Sequence, residues 1–105
     1  MNKESKYSLI ALKTGLNIKI IEDIVKIGKK NGIKKIIIFG SRARGDYRKT
    51  SDIDLAVYKE REGLFKLEID EMVSTLLKFD IICVDKDTDK KLIENINKDG
   101  IIIYE

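Results

Sequence analysis

The sequence predicts an α/β domain (α+β in some schemes) with a mixed β-sheet of about four strands and helices packed on it. Three observations carry this expectation. Short apolar runs at residues 36–39, 53–58, 79–84 and 101–104 have the length and branched side chains of buried strands. Stretches with apolar residues at helical spacing lie between them. The connection between the first two runs is short, which favours antiparallel neighbours. A helix between the second and third makes a crossover, which leaves those two strands parallel.

Residues 1–16 are the least readable, an N-terminal extension to a single domain spanning 1–105. An apolar patch at 7–12, punctuated by Gly15, fits a strand, a helical turn or a docking arm. Asn17 is placed to cap a helix running to about Asn31, with Ile20, Ile21, Ile24, Val25 and Gly28 on one face. Asn31-Gly32 ends it. The strand over 33–39 alternates too little for a half-solvated position and should be central. A short helix should start at Ser41, followed by a basic loop over 47–51. The second strand covers 53–58, and 60–63 reads as a turn. A helix over 64–77 presents Phe65, Ile69, Met72, Val73 and Leu76 at helical spacing. After the strand at 79–84, Asp87 or Thr88 can cap a last helix to about Asn97, with Leu92, Ile93 and Ile96 inward. Gly100 breaks that helix before the closing strand.

Composition removes several classes of function. The 105 residues include 21 basic and 18 acidic side chains, a balance too even for sequence-independent nucleic-acid binding. No apolar run approaches the ~20 residues of a membrane-spanning helix, and the N-terminus lacks a signal-peptide core. A cytoplasmic protein is expected. One cysteine, Cys83, precludes an internal disulfide or a cysteine zinc site. There is no histidine, so acid–base work falls to a carboxylate, Lys, Tyr or a metal-bound group.

The chemistry concentrates around Gly40-Ser41 and Asp52-Ile53-Asp54. Period-2 geometry puts Asp52 and Asp54 on one face of a strand. Two adjacent carboxylates repel and lose hydration unless a cation holds them, and their oxygens suit a hard divalent ion such as Mg²⁺. A Gly-Ser turn beside them offers backbone N–H groups and a hydroxyl to phosphate oxygens. Asp80 interrupts an otherwise apolar strand. Parallel strands begin at the same end of a sheet, so Asp80 falls beside Asp52 and Asp54. Asp85, past the strand end, is the alternative. Each signal has a plainer reading: an ordinary strand-to-helix turn at Gly40-Ser41, a polar turn at Asp52, an edge carboxylate at Asp80. The combination is what favours a site. Arg42 and Arg44 are either solvated helix residues or, for one of them, a phosphate contact; the sequence does not choose.

Gly40-Ser41, ten residues, then Asp52-Ile53-Asp54 resembles the signature of the nucleotidyltransferase superfamily related to DNA polymerase beta. A chain this close to a bare catalytic domain is most similar to the minimal nucleotidyltransferases, which are paired with HEPN proteins in toxin–antitoxin modules. The resemblance implies a nucleotidyltransferase fold over about residues 17–104. It implies a site with Asp52, Asp54 and Asp80 as catalytic and metal-holding carboxylates. Gly40, Ser41 and Arg42 or Arg44 are then the nucleotide-binding residues. Two Mg²⁺ ions roughly 3.5–4 Å apart would clamp the reacting oxygens. AMP would pass from ATP to a tyrosine of a HEPN partner, silencing it. The superfamily's usual helical domain would have to follow residue 105, so a partner chain or a second copy is expected to complete an open cleft. Two other readings stand beside this one: a non-catalytic antitoxin that caps its partner, and nucleotidyl transfer to a small molecule with a companion acceptor domain.

Overall fold

A computed structural model describes residues 6–58 and 63–105. Its elements run α1 (Ser8–Thr14), α2 (Ile18–Lys30), β1 (Lys35–Phe39), α3 (Gly40–Arg44), β2 (Ile53–Tyr58), α4 (Leu64–Met72), β3 (Phe79–Val84), α5 (Lys90–Asp99) and β4 (Ile101–Tyr104). The four strands form one sheet in the order β3-β2-β1-β4. β1 is antiparallel to both β2 and β4, and β2 is parallel to β3, so the sheet is mixed as expected.

Alternation along each strand divides the apolar side chains between two faces. Ile36 and Ile38 of β1 and Ile53, Leu55 and Val57 of β2 point to one face. There they meet Ile21, Ile24 and Val25 of α2 and Phe65 and Ile69 of α4 in the main core. Ile37 and Ala56 point the other way and meet Ile96 of α5, with Phe39, Tyr58, Val84 and Leu92 around them. The molecule is therefore three layers: α1, α2 and α4, then the sheet, then α5.

Local chemistry explains the helix ends. The Asn17 side chain accepts from the Lys19 amide at 2.8 Å, the expected cap of α2. At the other end, Asn31 donates to Ile27 O and to Glu68, and Lys30 Nζ meets Glu68 at 2.7 Å, fastening α2 to α4. These contacts hold the Glu68 carboxyl below its ordinary range, first through the Lys30 hydrogen bond and then through Asn31.

The patch at 7–12, left open by the sequence, is helical: α1 begins at Ser8, with Tyr7 as its N-cap. Three expectations change. α4 stops at Met72, five residues short, because Val73 is extended and the Thr75 hydroxyl accepts from the Leu77 amide. Such local side-chain bonding competes with helix continuation. Phe65, Ile69 and Val73 are buried, but Met72 and Leu76 are exposed. α5 is capped by Asp89, which accepts from the Lys91 amide, while Thr88 and Asp87 belong to the turn before it. The expected turn at 60–63 lies outside the described residues except for Gly63.

Candidate active site

The site begins with two strand registers. Asp54 in β2 stands opposite Phe39, the last residue of β1, and beside Asp80 of β3. Asp54 alternates with the buried Ile53 and Leu55, and Asp80 with Phe79 and Ile81, which pack on the main core. Both carboxylates therefore occupy the α5 face, at the end of the sheet where β1 gives way to α3. Asp52, exposed, directly precedes β2. The crossover argument for Asp80 is thus realised in the register.

Gly40 links the sheet to α3 with φ +72°, a left-handed conformation that side chains rarely adopt. A Cβ at this position would run into the Asp54 carboxylate. Glycine is required twice here: for the backbone turn and for the space Asp54 occupies. The backbone of the turn is consequently bare where it faces the carboxylates, and the half-buried Ser41 follows it.

Asp54 carries the electrostatic strain of the cluster. Partial burial pushes its carboxyl above the ordinary value of 3.8, the neighbouring charges of Asp80 and then Asp52 push it further, and Arg44 opposes them. Arg44 is exposed, and its Nε makes a 3.4 Å contact to the Asp46 carboxylate.

Arg42 is elsewhere. It is 2% exposed and its guanidinium donates to the chain's own carbonyls: to Thr14 at 2.9 Å, to Ser51 at 3.0 and 3.1 Å, and to Lys49 at 3.2 Å. The Tyr47 ring covers it at 5.0 Å. Of the two arginines singled out from the sequence, only Arg44 has a head group open to the cleft, so the structure does not bring Arg42 to the aspartates. The reason is helical geometry. Residues i and i+2 stand about 200° apart around a helix of 3.6 residues per turn, so one faces in when the other faces out. That spacing was visible in Ser41-Arg42-Ala43-Arg44, but which arginine turned inward depended on α1. Asp85 lies at the opposite end of β3, where its carboxylate accepts from the Asp87 amide at 2.8 Å.

The donor set fits a divalent ion shared with a ligand. Among the described residues no three metal-binding side chains form a ready-made cage. Mg²⁺, however, is ordinarily held by one or two carboxylates, substrate phosphates and water. Asp54, flanked by the charges of Asp80 and Asp52 beside bare turn backbone, matches that mode, since a cation would relieve the strain on Asp54. Among the described residues no helix is long and apolar enough to cross a membrane.

Comparison with known proteins agrees with the geometry. The family described as "Polymerase beta, Nucleotidyltransferase" matches residues 22–105. A Methanocaldococcus jannaschii protein named "Putative protein adenylyltransferase MJ0604" is 40% identical over 65 residues, covering 62% of this chain and 63% of that protein. The chain thus spans less than two thirds of that relative. A second protein of the same organism, with the same style of name, is 32% identical over 75 residues and is 87% covered. Among solved structures, the "Structure of putative minimal nucleotidyltransferase" aligns with a TM-score of 0.59 and 26% identity, over 77% of this chain and 86% of that one. The "Crystal structure of the toxin-antitoxin with AMP-PNP" aligns with a TM-score of 0.64 at 22% identity, over 80% and 72%, and supports the fold.

Proposed function

The chain belongs to the polymerase beta nucleotidyltransferase family, and we propose that it transfers AMP from ATP to a protein hydroxyl, a tyrosine of a HEPN-type toxin partner, in a Mg²⁺-dependent reaction. The observation that carries this reading is Asp54, paired in register with Asp80, subject to the charge of Asp52 and close against the Gly40 turn. Carboxylate oxygens suited to a divalent ion lie there beside turn backbone suited to phosphate, which supports the reading.

In this reading Asp52, Asp54 and Asp80 hold the ions, which when bound neutralise phosphate charge and polarise the α-phosphate. Ser41 and the turn amides grip the β- and γ-phosphates. Arg44, not Arg42, supplies the side-chain cation for the triphosphate. Asp80, exposed at the rim, accepts the proton of the acceptor hydroxyl at a carboxylate oxygen. The acceptor oxygen bonds to the α-phosphorus as the bond to the bridging oxygen breaks, and pyrophosphate leaves. The protein's own contribution is positioning and charge stabilisation.

Relatives named for protein adenylylation and a toxin–antitoxin neighbour with a bound ATP analogue support the choice of nucleotide and partner. The test is incubation with labelled ATP and Mg²⁺, with and without a co-purified partner, followed by mass analysis of both chains. One AMP added to a partner tyrosine is expected. Equal labelling by Asp54→Asn would show that the site is elsewhere. Neutralisation of the partner by an Asp80→Asn protein that cannot transfer would favour steric capping.

A further inference from the structure

We propose that Arg42 is a positioning residue, whose guanidinium fastens the loop before Asp52 to the helix after Gly40 and so sets the spacing between carboxylates and phosphate-binding turn. This rests on the nucleotidyl-transfer reading of the site.

The argument starts from the two halves of the site. They belong to different segments, the turn at the head of α3 and the strand β2, joined by the loop over 45–52. That loop is polar and largely exposed, with few contacts of its own to define it. Within the loop, Ser51 bonds to Arg48: its amide donates to Arg48 O at 3.0 Å and its hydroxyl accepts from the Arg48 amide at 2.8 Å. The external restraint comes from Arg42. Two of its nitrogens converge on the carbonyl of Ser51, the residue immediately before Asp52. Further bonds go to Lys49 O and, at 3.5 Å, to Arg48 O, and another reaches across to Thr14 O at the end of α1.

A buried guanidinium needs all its donors satisfied, and among the described residues no carboxylate pairs with it. Its partners are backbone carbonyls held in a fixed arrangement, so the fork geometry, not charge pairing, specifies their positions. α1 completes the clamp. Gly15 has φ +69°, and a Cβ there would strike the Tyr47 ring, so the α1 terminus, Tyr47 and Arg42 pack as one unit. Arg42 never touches the cleft, yet it joins α1, α3 and the Asp52 loop.

Arg42→Lys keeps the charge but loses the fork, so it separates positioning from charge. Two measurements on the full chain test the proposal. The first is amide hydrogen exchange across residues 48–53 without metal, where faster exchange in the variant is expected. The second is the Mg²⁺ concentration for half-maximal transfer, checked by Mn²⁺ binding in electron paramagnetic resonance. We expect this to rise about 10- to 100-fold, the usual effect of losing an outer support of a metal site, with kcat largely restored at saturating metal. A folded variant with wild-type metal requirement overturns the proposal, whatever its kcat. If Arg42→Lys does not fold, Tyr47→Leu is judged by the same criteria. A wild-type protein without metal-dependent transfer sinks the nucleotidyl-transfer reading instead. In that case unchanged exchange in Arg42→Lys sinks this proposal, and accelerated exchange upholds the clamp.

Discussion

The two faces of the sheet do different work. On one, three helices bury a continuous core that includes Ile21, Ile24, Leu55, Phe65 and Ile69. On the other, α5 covers only Ile37 and Ala56 through Ile96, and beyond that small patch the surface carries Asp54 and Asp80. Burying a large apolar side chain contributes about 1.5–3 kcal/mol, so most of the fold's hydrophobic stabilisation lies on the thick face. Unpaired carboxylates are costly in such a core. On the thin face, at the open end of the sheet, Asp54 is half-buried and Asp80 is exposed. The division leads to the expectation that substitutions at the candidate site cost little fold stability, and that substitutions in the thick face cost stability with little effect at the candidate site.

Breaking the thick face should have the largest effect. Phe65→Ala removes a fully buried ring and should cost about 3–5 kcal/mol in denaturant unfolding. The transfer rate per folded molecule should be nearly unchanged; a matching fall in that rate would mean the faces are coupled. On the thin face, Asp80→Asn should lower transfer at least ~100-fold, the low end for losing a positioned base, while the melting temperature and ATP binding stay near wild type. A large loss of ATP binding would instead make Asp80 a nucleotide-holding residue.

A smaller effect sharpens the comparison by its sign. The Asp54 carboxyl is raised in the folded state, so its ionisation disfavours folding in metal-free protein. That penalty is absent below the unfolded value near 3.8 and grows as pH rises through the folded value. Asp54→Asn, with chelator present, should therefore be more stable than wild type at pH 7, and the advantage should vanish in acid. Loss of stability at pH 7 would show that the charged carboxylate holds the turn together. Glu68 on the thick face has the opposite sign. Its carboxyl is lowered by Lys30 and Asn31, so its contribution is present above the unfolded value of 4.5 and is lost as pH falls through the folded one. Glu68→Gln should be slightly destabilising at pH 7, with the deficit closing in acid. A deficit independent of pH would assign the contribution to packing.

Several parts of this arrangement were legible without coordinates because they depend on short-range rules. Alternation put Asp54 on the face of β2 turned away from the main core, although Asp52, expected beside it on the strand, lies just before β2. The crossover brought Asp80 to the same end, since parallel strands share their starting edge. Asn17 was recognisable as a cap because capping is decided within three residues. Elsewhere local pattern misled. Met72 and Leu76 continue a helical spacing but are exposed: α4 ends at Met72, and Leu76 lies beyond it, where Val73 is extended and Thr75 bonds the Leu77 amide.

The residue types of the candidate site, three aspartates and a glycine-serine turn, were determined by the sequence alone, because periodicity and chain connectivity suffice to bring those groups to one end of the sheet. The roles of the two arginines were decided only by tertiary structure. Arg42 and Arg44 have equal local claims on a phosphate. The choice fell to Thr14, Gly15 and Tyr47, residues whose meeting depends on α1 docking against α3. A buried guanidinium goes where carbonyls converge from separate segments, and that convergence does not exist until the chain has folded.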